Sequence, residues 1–257
     1  AADKLRVIGR AGIGIDNIDI ERASARGIVV MNTPYGNSIT TAEHAIAMMF
    51  SLARNIAQAN LSTHAGKWEK SRFVGVELSG KILGIIGCGN IGSIVADRAL
   101  GLKMKVVAYD PFLSPERATE IGVEKVDLDS LLARSDFISL HTPMTEATKG
   151  IIDRKAIDGM KVGVRIINCA RGGLIVEKDL KEALDSGKVS GAALDVFSKE
   201  PAKENILFGH ENVVATPHLG ASTSEAQINV AIQIAEQMSD YLQTGVVINA
   251  LNMPSVS

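Results

Sequence analysis

The segment Gly87-Cys88-Gly89-Asn90-Ile91-Gly92 constrains this chain more than any other stretch. It follows the apolar run 82–86 directly and opens a helical pattern near Ile91. In a strand–turn–helix unit each of its glycines has a separate use. Gly87 permits the tight turn, Gly89 lets backbone approach a pyrophosphate, and Gly92 lets helix and strand pack closely. The start of the helix adds free N–H groups and a positive dipole end. Cys88, in the middle of the turn, reads as a small packed residue rather than a reactive thiol.

The pattern around this unit repeats its logic. Strand-like apolar runs are expected at 5–8, 28–31, 82–86, 105–109, 137–140, 165–168, 191–194 and 213–215. Several are β-branched and almost free of charge, as strands buried on both faces should be. Amphipathic segments at 91–101, 127–133 and 177–186 lie between them. Strand alternating with helix predicts parallel βαβ units, hence an α/β fold with a doubly wound parallel sheet. Residues 40–65 read as one long, mostly apolar helix and 225–243 as another, both suited to connecting two lobes. Residues 246–257 show no helical or strand register.

Asp110 ends the run after the glycine segment. A carboxylate there accepts hydrogen bonds from ribose 2′- and 3′-hydroxyls and repels a 2′-phosphate. Pro111 and Phe112 follow, with no arginine to hold such a phosphate. The cofactor expected is therefore NAD rather than NADP.

Charge and composition narrow the remaining classes. A net charge of -2 gives no global field for nucleic acid or an anionic membrane. Two cysteines, Cys88 and Cys169, with no CxxC spacing, fit neither a disulfide framework nor a zinc site. Histidine and carboxylate spacing suits no metal, so none is expected. The apolar stretch 45–53, bracketed by Glu43 and Arg54, is too short to span a bilayer, and residues 1–10 carry no signal-peptide core. A cytoplasmic protein is the expectation. With aromatics at only 4%, its core must be built from Ile, Val, Leu, Ala and Met.

Further phrases occur in fixed order: Gly9-Arg10-Ala11-Gly12, Asn32-Thr33-Pro34, His141-Thr142-Pro143, Asn168-Cys169-Ala170-Arg171-Gly172-Gly173, Ala193-Leu194-Asp195-Val196-Phe197, Glu200-Pro201 and Thr216-Pro217-His218-Leu219-Gly220-Ala221. With the glycine segment they resemble the D-2-hydroxyacid dehydrogenases over essentially the whole chain. The resemblance implies a Rossmann nucleotide-binding domain at 34–221. It also implies a partial, flavodoxin-like substrate domain at 1–33 and 222–257. Family members begin before the residue matching Ala1, and some carry a regulatory domain after the one matching Ser257. A chain truncated at both ends is thus expected.

Oxidising a 2-hydroxy acid needs a base for the hydroxyl proton, a hydride acceptor and a grip on the carboxylate. The resemblance implies His218 as the acid/base, Glu200 as the partner that fixes its ring, and Arg171 as the carboxylate fork. It implies that Asn90 and Ile91 offer amides to the pyrophosphate. Thr142, Cys169, Ala170 and Asp195 would border the ribose or nicotinamide, and Gly220 and Ala221 would follow His218 along the ring. Gly12, Ile13, Gly14 and Asn37 would meet the substrate. Arg10 and Arg72 are open between phosphate ligands and surface charges. Among other histidines, His44 is expected to pack on its helix, His64 and His210 to be exposed, and His141 to orient its loop.

The implied reaction is NAD-dependent oxidation of 3-phosphoglycerate to 3-phosphohydroxypyruvate, the entry to serine synthesis. A glyoxylate or hydroxypyruvate reductase is the enzymatic alternative. A corepressor-like protein that senses NAD(H) without turnover is the alternative from another class. A homodimer or higher homo-oligomer is expected, with the apolar segment 40–65 at the subunit interface.

Overall fold

The computed structural model describes residues 4–15 and 17–253. The expectations for 1–3 and 254–257 lie outside the described residues. The chain opens with β1 (Val7–Arg10), α1 (Ile20–Ser24) and β2 (Val29–Asn32), then two helices, α2 (Ser38–Ala53) and α3 (Ile56–His64). Next come β3 (Ile82–Ile86), α4 (Asn90–Gly101), β4 (Lys105–Tyr109), α5 (Pro115–Glu120), β5 (Glu124–Lys125) and α6 (Leu128–Arg134). β6 (Phe137–Leu140), α7 (Arg154–Asp158), β7 (Val164–Asn168), α8 (Glu177–Asp185), β8 (Val189–Leu194), β9 (Val213–Ala215) and α9 (Ser224–Thr244) complete it. The chain divides into two compact units, Thr41–Gly220 and the segments flanking it.

Thr41–Gly220 is built on a seven-stranded sheet in the order β5-β4-β3-β6-β7-β8-β9. Every pairing in it is parallel. Successive strand residues point to opposite faces, and both faces are covered. Leu83, Ile85, Val106, Ala108, Phe137 and Ile167 belong to one apolar layer. Ile86, Val107, Ile138, Leu140 and Ile166 belong to the other. This is the doubly wound arrangement expected from the unbroken apolar runs. Strand order reverses between β3 and β6, so a crevice is expected at the carboxyl ends of those two strands.

In the flanking unit β1 and β2 pair in parallel, with Val7 opposite Val29. Val29 and Met31 pack with Ile234 on one side, and Ile28 and Val30 with Ala23 on the other. α9 starts at Thr223, whose side chain accepts the Ala226 N–H, and stops at Gly245 in the left-handed region. It lies over Gly9, where an added Cβ would fall 2.2 Å from the Met238 sulfur.

Three expectations need correction. Residues 40–65 are two helices, not one. Asn55 takes a left-handed conformation, and the Val76 N–H takes the Ala53 carbonyl at 2.9 Å. An added Cβ at Gly75 would lie 2.4 Å from that same oxygen. The returning chain thus replaces a helical hydrogen bond, and no Gly or Pro marks the break. The short β5 was not expected, because Glu124 and Lys125 are exposed and carry no apolar signal. The tail after α9 does have a partner: Ala250 bridges Met31 antiparallel, and the Leu251 N–H donates to the Val30 carbonyl at 2.9 Å.

Candidate active site

The glycine turn leaves β3 at the point where strand order reverses. Its three glycines are in distinct surroundings. Gly87 has φ +89°, and an added Cβ would crowd the His141 carbonyl at 2.7 Å. At Gly92 a Cβ would fall 2.1 Å from the Gly87 oxygen, so only glycine lets α4 pack on the turn. Around Gly89 an added Cβ would meet nothing within 4 Å. That open side, at the start of a helix whose N-cap glycine has no capping side chain, is where a pyrophosphate would find free N–H groups.

Asp110, just beyond β4, faces the turn. One carboxylate oxygen accepts the Cys88 N–H at 2.8 Å and the other the Phe112 N–H at 2.8 Å. A carboxylate has about four acceptor positions, so it retains capacity for ribose hydroxyls. Arg117, whose charge is felt at Cys88, is paired with Glu120 at 2.6 Å. Burial raises the Cys88 thiol to about 11, and burial also raises Cys169. Both are packed, protonated thiols at neutral pH. The residues present thus fit a dinucleotide ending in an unphosphorylated ribose.

The acid–base candidates lie at the carboxyl end of the same sheet. His218 Nδ1 is 2.6 Å from Glu200 Oε2. A carboxylate can only accept, so Nδ1 carries the proton and Nε2 is left to exchange one. The second Glu200 oxygen accepts the Phe197 N–H at 3.0 Å. His218 stands at φ +57°, in a region where non-glycine residues are uncommon, and half of its side chain is exposed. A cavity of about 530 Å³ opens beside the pair, lined by Phe197, Pro201, Ala202, Phe208, Ala215 and Pro217 among others.

Asp195 holds the His218 turn. It is fully buried, at the end of β8. Its oxygens accept the Thr216 hydroxyl at 2.5 Å and the N–H groups of Leu219 and Gly220 at 2.7 Å each. His44 Nε2 lies 3.3 Å away. Burial opposes its ionisation, but the bonds from His44, Thr216 and the two amides outweigh it and hold the carboxyl below its usual range. In this structure the carboxylate points into its own loop rather than toward open space.

Arg171 sits in the loop after β7. The Asn168 side chain braces that loop, accepting the Ala170 N–H and donating to the Arg171 carbonyl at 2.9 Å. Gly172 lets it approach the next strand end, since an added Cβ would be 1.8 Å from the Phe197 oxygen. The segment carrying Arg171 is thereby set against the one that leads to Glu200. Thr142, Cys169 and Ala170 lie at the ends of β6 and β7, on the same edge of the sheet.

Gly12, Ile13, Gly14 and Asn37 belong to the flanking unit. The Gly12 N–H donates to Thr33 Oγ1 at 2.7 Å and the Ile13 carbonyl accepts from Asn32 at 3.0 Å. The loop after β1 is pinned to the end of β2. Arg72 is engaged with Glu69 and Glu211. His64 is exposed. His210 is not: it is mostly buried, 3.5 Å from Asp185, with Nδ1 accepting the Asn212 N–H. His44 does pack on α2, yet it also reaches Asp195 and Thr216, which sequence reasoning missed. His141 donates or accepts at Ser139 Oγ over 2.8 Å, and burial lowers it to about 4, so it is neutral at physiological pH. Among the described residues no group of His, Cys, Asp and Glu could hold a metal, and no helix is long and apolar enough to cross a membrane.

Residues 46–220 match the model of the "D-isomer specific 2-hydroxyacid dehydrogenase, NAD binding domain". D-3-phosphoglycerate dehydrogenase of Archaeoglobus fulgidus is 53% identical over 257 residues, covering 100% of this chain and 49% of its own length. The chain spans about half the length of the curated relatives it matches. A glyoxylate reductase from Paecilomyes thermophila superposes with a TM-score of 0.90 at 35% identity, over 97% of this chain and 76% of that one. D-lactate dehydrogenase from Aquifex aeolicus, complexed with NAD and lactic acid, gives a TM-score of 0.87 at 30% identity, over 98% of this chain and 81% of its own.

Proposed function

The chain belongs to the D-isomer specific 2-hydroxyacid dehydrogenases, and on that premise we propose that it forms part of an NAD-dependent enzyme that oxidises 3-phosphoglycerate to 3-phosphohydroxypyruvate. The observation that carries the reading is the 2.6 Å contact between His218 and Glu200. It lies on the sheet edge that also bears the glycine turn, Asp110 and the Arg171 loop. The substrate assignment is supported by relatives at about 50% identity that are D-3-phosphoglycerate dehydrogenases. Residues 34–221 would form the nucleotide-binding domain, with 1–33 and 222–257 contributing to the substrate domain.

NAD bound on the glycine turn would supply the hydride acceptor for C2 of the substrate. Asn90 and Ile91 would present N–H groups to the pyrophosphate, and Asp110 would take the ribose hydroxyls. Arg171 would hold the substrate carboxylate through its planar fork. His218 Nε2 would accept the proton of the C2 hydroxyl as the carbonyl forms. Glu200 would stabilise the imidazolium so produced and keep the ring oriented. Thr142, Cys169, Ala170, Gly220 and Ala221 would border the cofactor, and Asp195 would act mainly by holding the 216–220 turn.

The test is a substrate panel on the full-length protein with NAD: 3-phosphoglycerate, glycerate, lactate, and in reverse glyoxylate and hydroxypyruvate. A kcat/KM for 3-phosphoglycerate at least tenfold above the unphosphorylated acids is expected, and preference for any of these would reject the substrate. No turnover of any would reject the enzymatic reading.

A cytoplasmic homodimer is part of the same proposal. Phe50, Ile56 and Leu61 are exposed along α2 and α3, beside a groove lined by Arg54, Ala59 and Thr63. Exposed apolar surface of this kind suits a second copy. Sedimentation velocity at micromolar concentration would return a dimer, and a persistent monomer would refute it.

A further inference from the structure

We propose that Glu177 is a positioning residue for the acid–base pair, a clamp on the loop that carries Glu200. The proposal rests on the roles given above to Glu200 and His218. Glu177 is the first residue of α8, where a carboxylate commonly interacts with the free amides of its own helix. Here both oxygens reach outward. Oε1 accepts the Ser198 N–H at 2.8 Å and the Ser198 hydroxyl at 2.7 Å. Oε2 accepts the Asn205 side-chain amide at 2.9 Å.

Ser198 and Asn205 are the two limbs of one loop, and Glu200 lies between them. Asn205 extends the hold, because its Oδ1 accepts the N–H of the fully buried Leu207 at 3.0 Å. The clamp has a firm base. Leu180, Ala183 and Leu184 bury one face of α8, and Asp179 accepts the Arg154 N–H at the start of α7. Beyond this hold, Glu200 accepts the Phe197 N–H and Ala202 packs against the core. Ser198, Lys199, Glu200, Pro201, Lys203 and Glu204 are all exposed, the kind of segment that opens locally at low cost.

A short contact to His218 needs the loop held to within a fraction of an ångström. Three donors on one ionised carboxylate supply that hold, since hydrogen bonds to a charged acceptor are the stronger kind. Conversion of Glu177 to glutamine would turn one of its oxygens into a donor facing donors. Nothing in this set touches the glycine turn or Asp110, so the clamp acts on proton transfer and not on the dinucleotide.

The experiment uses the full-length protein and four variants: Glu177→Ala, Glu177→Gln, Glu200→Gln, and Glu177→Ala combined with Glu200→Gln. Each Glu177 change should lower kcat by about ten- to a hundredfold, the scale of a misplaced catalytic group. The KM for substrate and the Kd for NAD should stay within about twofold. The double variant should lose no more than Glu200→Gln alone, because the clamp works through that residue. Losses that multiply, or a kcat in the Glu177 variants equal to the parent's, would overturn the clamp while leaving the reading of the site intact. Parent-like rates for Glu200→Gln would overturn both. If Glu177→Ala does not fold, as judged by NAD binding and melting, Glu177→Gln and Asn205→Ala complete the same cycle.

Discussion

His218 is held by its neighbours more than by its own packing. Its side chain is half exposed, and its ring orientation depends on the single bond to Glu200. Its backbone conformation depends on the turn tied to Asp195. Replacement by Gln should therefore cost on the order of a hundredfold or more in the chemical step, the usual scale for a positioned acid/base. Glu200→Gln should cost less, because the ring keeps a hydrogen-bond acceptor while the imidazolium loses a charged partner. Single-turnover rates across pH would check both, and unchanged turnover in His218→Gln under chemistry-limited conditions would defeat the mechanism. Asp110 is the residue proposed to take the ribose hydroxyls, so it would set cofactor choice. NADP should bind far more weakly than NAD, and Asp110→Ser should narrow the gap; equal affinities in the parent by titration would refute the role. Of these residues, Asp110 could be read from its distance to the glycine turn, and Arg171, Glu200 and His218 from the ordered phrases around them. His44 and Glu177 could not. The Thr216 partner of His44 stands 172 residues away in sequence and the partners of Glu177 stand 21 to 28 away, and nothing local announces a contact made by folding.

The elements of the Rossmann unit were legible because their signals are local. β3, the glycine turn and α4 follow one another within 20 residues, and each strand between two apolar layers must itself be apolar. β3, β4, β6 and β9 match their expected bounds. Signals failed where tertiary contacts decide, as at Asn55, where the returning segment at Gly75 and Val76 divides an otherwise continuous helical pattern. They failed also at β5, whose two exposed charged residues pair with Val107 and Ala108 only through backbone. The end of β6 carries a prediction of its own. Burial lowers His141 from 6.5 to about 4 in the fold, while an unfolded chain would protonate it near 6.5. Between those values the unfolded state binds more protons, so stability falls as pH drops from 6.5 to 4 and is unaffected above. The loss should approach about 3 kcal/mol at the acidic end. Chemical denaturation at several pH values would show it, and His141→Gln should flatten that part of the curve; an unchanged slope in the variant would exclude His141 as its source.

The two units of the chain differ in what they can do alone. Thr41–Gly220 has a seven-stranded sheet covered on both faces, and it contains the glycine turn, Asp110, Arg171, Glu200 and His218. The flanking unit has a two-stranded sheet, an arrangement that is marginal without further strands or packing. Ile228, Ile232 and Leu5 are exposed in it. Gly12, Ile13, Gly14 and Asn37 thus rest on the smaller framework. If they meet the substrate as the family resemblance implies, substrate binding should suffer more than cofactor binding when only these 257 residues are present. The chain alone should therefore bind NADH with nearly the affinity of the full-length protein and turn over 3-phosphoglycerate much more slowly, with most of the loss in kcat/KM for the acid. Calorimetric titration with NADH and steady-state assays of both forms would separate the two effects. Equal turnover would show that the described residues suffice for the substrate site. Loss of NADH binding would mean that the nucleotide-binding unit depends on parts of the protein outside this chain.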